Sequence, residues 1–232
     1  MKVGIIQSNY IPWRGYFDFI RECDVFVLHD NIQYTKGDWR NRNTIKTPQG
    51  LRWLTVPVHY DHTAQLICET RIDESTDWRG AHLALFRENY RTAPHYGYAQ
   101  AILERSLLDT PRHLTIDRLN SSLIGGICRA LGVRTPIHDS SAFGLNPALR
   151  KTERIIAICK ALGADTYLSG PAAKVYLDED ALRREGITPE YKVYSYPEYP
   201  QLHGKFEGGV SVLDLIANVG SAAPDYIWRK EE

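Results

Sequence analysis

Residues 2–28 read KVGIIQSNYIPWRGYFDFIRECDVFVL, and how this stretch is parsed decides the fold. Lys2–Gln7 is a short, near-continuous, β-branched apolar run, the pattern of a strand covered on both faces. Tyr16–Glu22 fits one or two helical turns, with Tyr16, Phe17, Ile20 and Cys23 toward the inside. Asp24–Leu28 then reads as a second buried strand. Two such strands joined by a short helix predict a right-handed βαβ unit and a parallel sheet. The expected fold class is α/β, built on a mainly parallel, nucleotide-binding-like sheet.

Working outward, Trp39–Ile45 and Leu51–Val58 look like the strands of a hairpin, turned at Thr47–Gly50. Asp77 is a plausible N-cap for a helix over Trp78–Arg91, where Trp78, His82, Leu85, Phe86, Asn89 and Tyr90 recur at helical spacing. Helices are expected at Tyr96–Leu108 and Arg112–Leu131, the latter stopped by Gly132. Lys151–Leu162 is another amphipathic helix, ending at Gly163. The strand-like DTYLSG at 165–170, the unit KVYLDEDALRREG at 174–186 and a strand near Tyr191–Tyr196 follow. Val210–Val219 should be the last helix. With no repeats and no convincing linker, one α/β domain over 1–232 is expected, with a helical insertion at about 77–132.

The chain is 43% hydrophobic and 24% charged, an ordinary globular composition. Lys plus Arg equals Asp plus Glu at 28 each, which argues against a dedicated DNA or RNA binder. No apolar run approaches the roughly 20 residues of a membrane span. Cys23, Cys68, Cys128 and Cys159 are scattered without a CxxC pair, and read as free thiols of a reducing compartment. Met1 and Lys2 lead straight into the first strand, without a signal peptide, so a cytoplasmic location is expected.

Candidate site residues crowd the first fifth of the chain. Gln7, Asn9, Tyr10, Trp13, Gly15 and Tyr16 occupy a loop leaving a parallel strand and opening a helix, the place where α/β sheets bind ligands. Unpaired N–H groups at the helix start and the bare backbone of Gly15 would suit an anion. Trp13 and Tyr16 stand where a nucleotidyl transferase has the histidines of its H-x-G-H loop, so binding fits better than nucleotidyl transfer. A well-packed aromatic turn would use the same residues.

The next cluster spans Asp30 to Lys46 and contains Gln33, Tyr34, Trp39, Arg40, Asn41, Arg42 and Asn43. Strict alternation from Trp39 would put Trp39, Asn41 and Asn43 on one strand face and Arg40 and Arg42 on the other. Two guanidiniums on one face suit a diphosphate or a carboxylate, and the rings of Trp39 and Tyr34 could stack on a base or sugar. A solvated edge strand, charged against aggregation, accounts for the arginines equally well. His82 is a candidate general base, although a lone helix histidine is more often structural. His59 and His62 lack companion ligands at metal spacing, so no metal is expected. Ser169, Gly170 and Tyr176 form a second turn after a strand, without the Gly-Lys-Ser/Thr of a P-loop. No motif names a cofactor.

In order along the chain, QSNYIPWRGYFDFI, DVFVLHDNIQYTKGDWRNRNTIK, WLTVPV, the Trp78, His82, Tyr90 helix with Ala93-Pro94, YLSGPAAKVYL and YPQ…FEGGVSVLDLI resemble the WbqC-like proteins of bacterial polysaccharide gene clusters. Ser8 departs from the pattern, standing where proline is expected. The resemblance implies a transferase placing an acyl or amino-acyl group, such as glycyl, on the amine of a nucleotide-linked amino sugar. Asp30 or His82 would then take the amine proton. The sheet-edge loop leaves room for an ATP-dependent ligase or adenylyl transferase, against which the missing H-x-G-H and Lys-Ser signatures count, and a non-catalytic sugar-nucleotide-binding assembly protein is the other alternative. The implied partners are a nucleotide-linked sugar and an acyl donor, and a homo-oligomer is compatible with both.

Overall fold

A computed structural model describes residues 1–112 and 114–228. The elements run β1 (Lys2–Ile6), α1 (Arg14–Glu22), β2 (Val25–Leu28), β3 (Arg42–Thr47) and β4 (Gly50–Thr55). Then come α2 (Trp78–Tyr90), α3 (Tyr96–Leu108), α4 (Ile116–Leu131) and β5 (Ile137–Asp139). The chain closes with α5 (Lys151–Leu162), β6 (Thr166–Ser169), α6 (Glu179–Arg184), β7 (Thr188–Tyr191) and α7 (Val212–Val219). It partitions into two compact units.

The first unit holds residues 1–7, 19–31 and 134–195. Its sheet has five strands in the order β5-β2-β1-β6-β7, and every pair is parallel. The α/β expectation from the opening stretch is met: Val3 faces Val25 and Ile5 faces Val27 in register. Chain order moves outward from β1 on one side and then restarts on the other, so the switch lies between β1 and β6. Gly4 is glycine for a packing reason, because a Cβ there would collide with the Phe19 ring and Cys23 Sγ. Val3, Ile5, Val27, Ile158, Tyr167 and Leu182 make the core of this unit.

The second unit holds 8–18, 32–133 and 196–232. The stretch expected as a helical insertion falls here, as α2, α3 and α4. Asp77 caps α2 by accepting from the Gly80 N–H at 3.1 Å, and Gly132 ends α4 in the left-handed conformation (φ 73°). The expected start of α4 at Arg112 gives way to Ile116, and His113 lies outside the described residues. Every residue of α7 is buried, with α3 packed against it, which explains a helix apolar on all sides except Asp214 and Asn218.

The hairpin is antiparallel as expected, but it begins three residues late. Trp39, Arg40 and Asn41 lie in a turn before β3, where the alternation of strand faces does not operate. The paired-arginine face is therefore corrected. The Arg40 guanidinium reaches the Asn9 side-chain oxygen and Asp38, while that of Arg42 stacks on Trp53 at 4.3 Å and bonds the Gly37 carbonyl. Among the described residues no helix is long and apolar enough to cross a membrane.

Candidate functional site

Three segments of the second unit meet around a cavity of about 320 Å³, lined by Asn9, Pro12, Trp13, Trp39, Asn43 and Gly209. The loop supplying the first three is held under strain. Ile11 has φ 43°, a left-handed conformation that a β-branched residue adopts only when its surroundings impose it. Asn43 imposes it, donating through Nδ2 to the carbonyls of Tyr10 (3.1 Å) and Ile11 (2.8 Å). The Tyr10 N–H donates to the Trp39 carbonyl (2.9 Å), and the Val212 N–H at the start of α7 to that of Pro12 (2.9 Å).

Gly15 sits directly beneath the Trp13 indole, and a Cβ there would collide with the ring. The residue is glycine so that the indole can lie flat on the helix start. Arg40 engages the Asn9 oxygen, which leaves the Asn9 amide nitrogen for a ligand. The first residue of α1, Arg14, is buried and anchors the last loop of the unit. Its guanidinium faces the rings of Tyr196 (4.8 Å), Tyr199 (5.4 Å) and Phe206 (5.6 Å) and donates to the Pro197 and Tyr226 carbonyls.

Other sequence candidates gather at a second cavity of about 420 Å³ in the same unit. Tyr34, Asn41 and Arg42 line it, together with Lys36, Gly37, Thr55, Val58 and Tyr60. Burial pushes the Tyr34 hydroxyl up to about 12, so it is a neutral donor at physiological pH. Consecutive residues thus serve different cavities: Asn41 and Arg42 the second, Asn43 the first. A larger groove of about 720 Å³ runs along α2 and α3, but its Arg87 and Arg91 are offset by Glu88 and Glu104. None of the sequence candidates lines it.

His82 does not fit the role of proton carrier. Its Nδ1 accepts from the Tyr10 hydroxyl (2.8 Å) and its Nε2 donates to the Thr55 carbonyl (3.2 Å), so both nitrogens are engaged. Burial lowers its pKa to about 4, which keeps the ring neutral. The histidine braces Tyr10, which is itself fully buried. Tyr16 is buried against Phe17, and Gln33 donates to the Thr63 carbonyl (2.6 Å). Lys46 is buried too, donating to Gln201 Oε1 (2.8 Å) and the Gly204 carbonyl (3.2 Å). These five, Tyr10 included, line neither of the two cavities.

Gln7, Asp30, Ser169, Gly170 and Tyr176 belong to the first unit. Gln7 and Gly170 follow the carboxyl ends of β1 and β6, the two strands flanking the switch. Ser169 is buried with its hydroxyl on that of Tyr167 (3.1 Å), and Asp30 is buried just beyond β2. Tyr176 is exposed.

Sequence reasoning missed Pro12, Gly209, Lys36 and Tyr60. The Gly208-Gly209 pair before the final apolar helix was the available signal for one of them. Also missed was a buried polar network on α7. The Asp214 carboxylate accepts from Tyr90 (2.5 Å), Tyr199 (2.6 Å) and Gln201 (2.7 Å). Burial raises its pKa against the pull of those donors.

Comparison with known proteins places this geometry in context. Residues 7–226 match the pattern of the WbqC-like protein family. An uncharacterized protein of Mycobacterium tuberculosis (strain ATCC 25618 / H37Rv) is 46% identical over 228 residues, covering 97% of each chain. No solved structure matches.

Proposed function

The chain belongs to the WbqC-like protein family, and from that premise we propose that it transfers an acyl or amino-acyl group to the amine of a nucleotide-linked amino sugar. The amine would attack the carbonyl of an activated acyl donor, forming the N–C bond as the ester or thioester breaks and the amine loses its proton. One observation carries the sugar half: the cavity between Trp13 and Trp39, with the Asn9 amide nitrogen on its wall and Asn43 holding the loop that shapes it. Indole faces offer flat apolar surface to the C–H faces of a pyranose, and amide groups read hydroxyls. Residues of this kind, few in number and convergent, are how small-molecule sites fix orientation.

A sugar-nucleotide-binding protein without turnover is favoured by a different observation. The first cavity carries no acid–base side chain, and both nitrogens of His82 are committed. Asp30 lines neither cavity.

Binding and turnover separate the two. Titration with UDP-, dTDP- and GDP-linked amino sugars should raise thermal stability, by about 2.7 kcal/mol at 100 times Kd. Trp39→Ala should weaken the best of them at least tenfold while leaving the ligand-free stability nearly unchanged, since its ring is already half exposed. Incubation with acyl thioesters and aminoacyl esters should then add one acyl mass to the sugar. Binding without any mass change selects the non-catalytic protein; no binding to any sugar nucleotide sinks both.

A further inference from the structure

We propose that the second cavity is a nucleobase subsite that selects a pyrimidine with an imide N–H, of uracil or thymine type, with Asn41 as the selecting acceptor. The inference rests on the sugar-nucleotide function proposed above and assigns the nucleotide half of that ligand.

Asn41 is only 6% exposed, and its amide cannot turn over freely. Its Nδ2 donates to the Val56 carbonyl at 2.8 Å, while the Val56 N–H donates back to the Asn41 carbonyl at 2.7 Å. With the amide nitrogen held by Val56, just past β4, the side-chain oxygen is the group left over. That oxygen is buried and has no hydrogen-bond partner, yet its residue lines the cavity. An unmet buried acceptor is unfavourable in the free protein and favours a ligand that brings an N–H.

The rest of the lining tells what carries the N–H. Tyr60, half-buried and backed by the buried Tyr34 ring (centroids 5.9 Å apart, planes at 50°), supplies ring surface for a flat heterocycle. Lys36 and Arg42 are the charged groups of the lining, and no carboxylate is among the residues that form it. Lys36 Nζ lies 5.9 Å from the Tyr60 ring, and Arg42 Nε is buried without a partner. Asp38, the nearest acid in sequence, is paired with Arg40 at 3.3 Å. A flat ring with an N–H, joined to an anion, fits this set of groups: a nucleoside diphosphate.

The imide decides which one. Uracil and thymine present an N–H at N3, where cytosine presents a lone pair that would oppose the Asn41 oxygen. Guanine also has a ring N–H, but its exocyclic amine beside it would require a second acceptor. Arg42 covers Trp53 at 4.3 Å, and Trp53 meets Trp39 at 5.5 Å. Those two contacts link a residue lining the second cavity to one lining the first.

Calorimetric titration of the full-length protein with UDP, dTDP, CDP, GDP and N3-methyl-UDP tests this without any variant. UDP or dTDP should bind at least tenfold more tightly than CDP, GDP and N3-methyl-UDP. Arg42→Ala should cut UDP affinity at least tenfold and leave uridine within threefold. Binding of all five diphosphates within threefold overturns the subsite. If UDP-, dTDP- and GDP-amino sugars all bind alike but remain sensitive to Trp39→Ala, the base subsite fails and the sugar site stands. If no sugar nucleotide binds, both fail.

Discussion

Asp214→Ala is expected to destabilise the second unit by about 3–5 kcal/mol, because its buried donors lose their shared acceptor at about 1–3 kcal/mol each. Asp214 is fully buried on α7 and accepts from Tyr90, Tyr199 and Gln201. Alanine leaves three donors aimed at an apolar methyl, and each unmet donor costs free energy of its own. The damage extends to β3, because the Tyr90 hydroxyl also accepts from the Lys46 N–H at 2.9 Å. Tyr199→Phe removes one donor instead and should cost about 1–2 kcal/mol. Urea titrations read both, with the slope unchanged between variants. A loss below about 1 kcal/mol for Asp214→Ala would contradict the role given to the network.

Mild acid is the second strong lever. Burial holds His29 in the first unit and His82 in the second to about 4, with Arg154 adding to the depression of His29. In the unfolded chain both titrate near their ordinary value of about 6.5. Between those limits the unfolded chain binds more protons, so stability is complete above about pH 6.5 and falls as the pH falls toward 4. At pH 4.5 the loss should reach about 2–3 kcal/mol in each unit. Asp214 works the other way, since a raised carboxyl takes up its proton sooner in the folded chain. Urea midpoints at pH 7.5 and 4.5 check the balance. Equal midpoints would mean that the two imidazoles are not held neutral.

The sheet was legible because its central strands carry their own signal. KVGII and VFVL are largely buried on both faces, and their apolar runs can be recognised without a partner. The strand β5, three residues long, carries too little pattern to be seen. The turn at 39–41 was misread because alternation was extended backward from a real strand. The Gly37-Asp38 pair just before it, with Gly37 at φ 75°, was the turn signal. Asn9, Trp13, Trp39 and Asn43, singled out by their types, come together at one cavity. Asp214 was not singled out, since its tyrosines come from 124 and 15 residues away, and only the folded chain brings them to one carboxylate.

Trp39 and Trp53 are 44% and 46% exposed, and their rings lie 5.5 Å apart. Such a pair is a built-in optical gauge. Both indoles emit from a wet environment and are open to a dissolved quencher such as iodide. Trp78, buried on α2, is shielded from it. A ligand settling on the Trp39 face would shield that ring and shift its emission to the blue, so occupancy of the first cavity can be followed in the unlabelled protein by its own fluorescence.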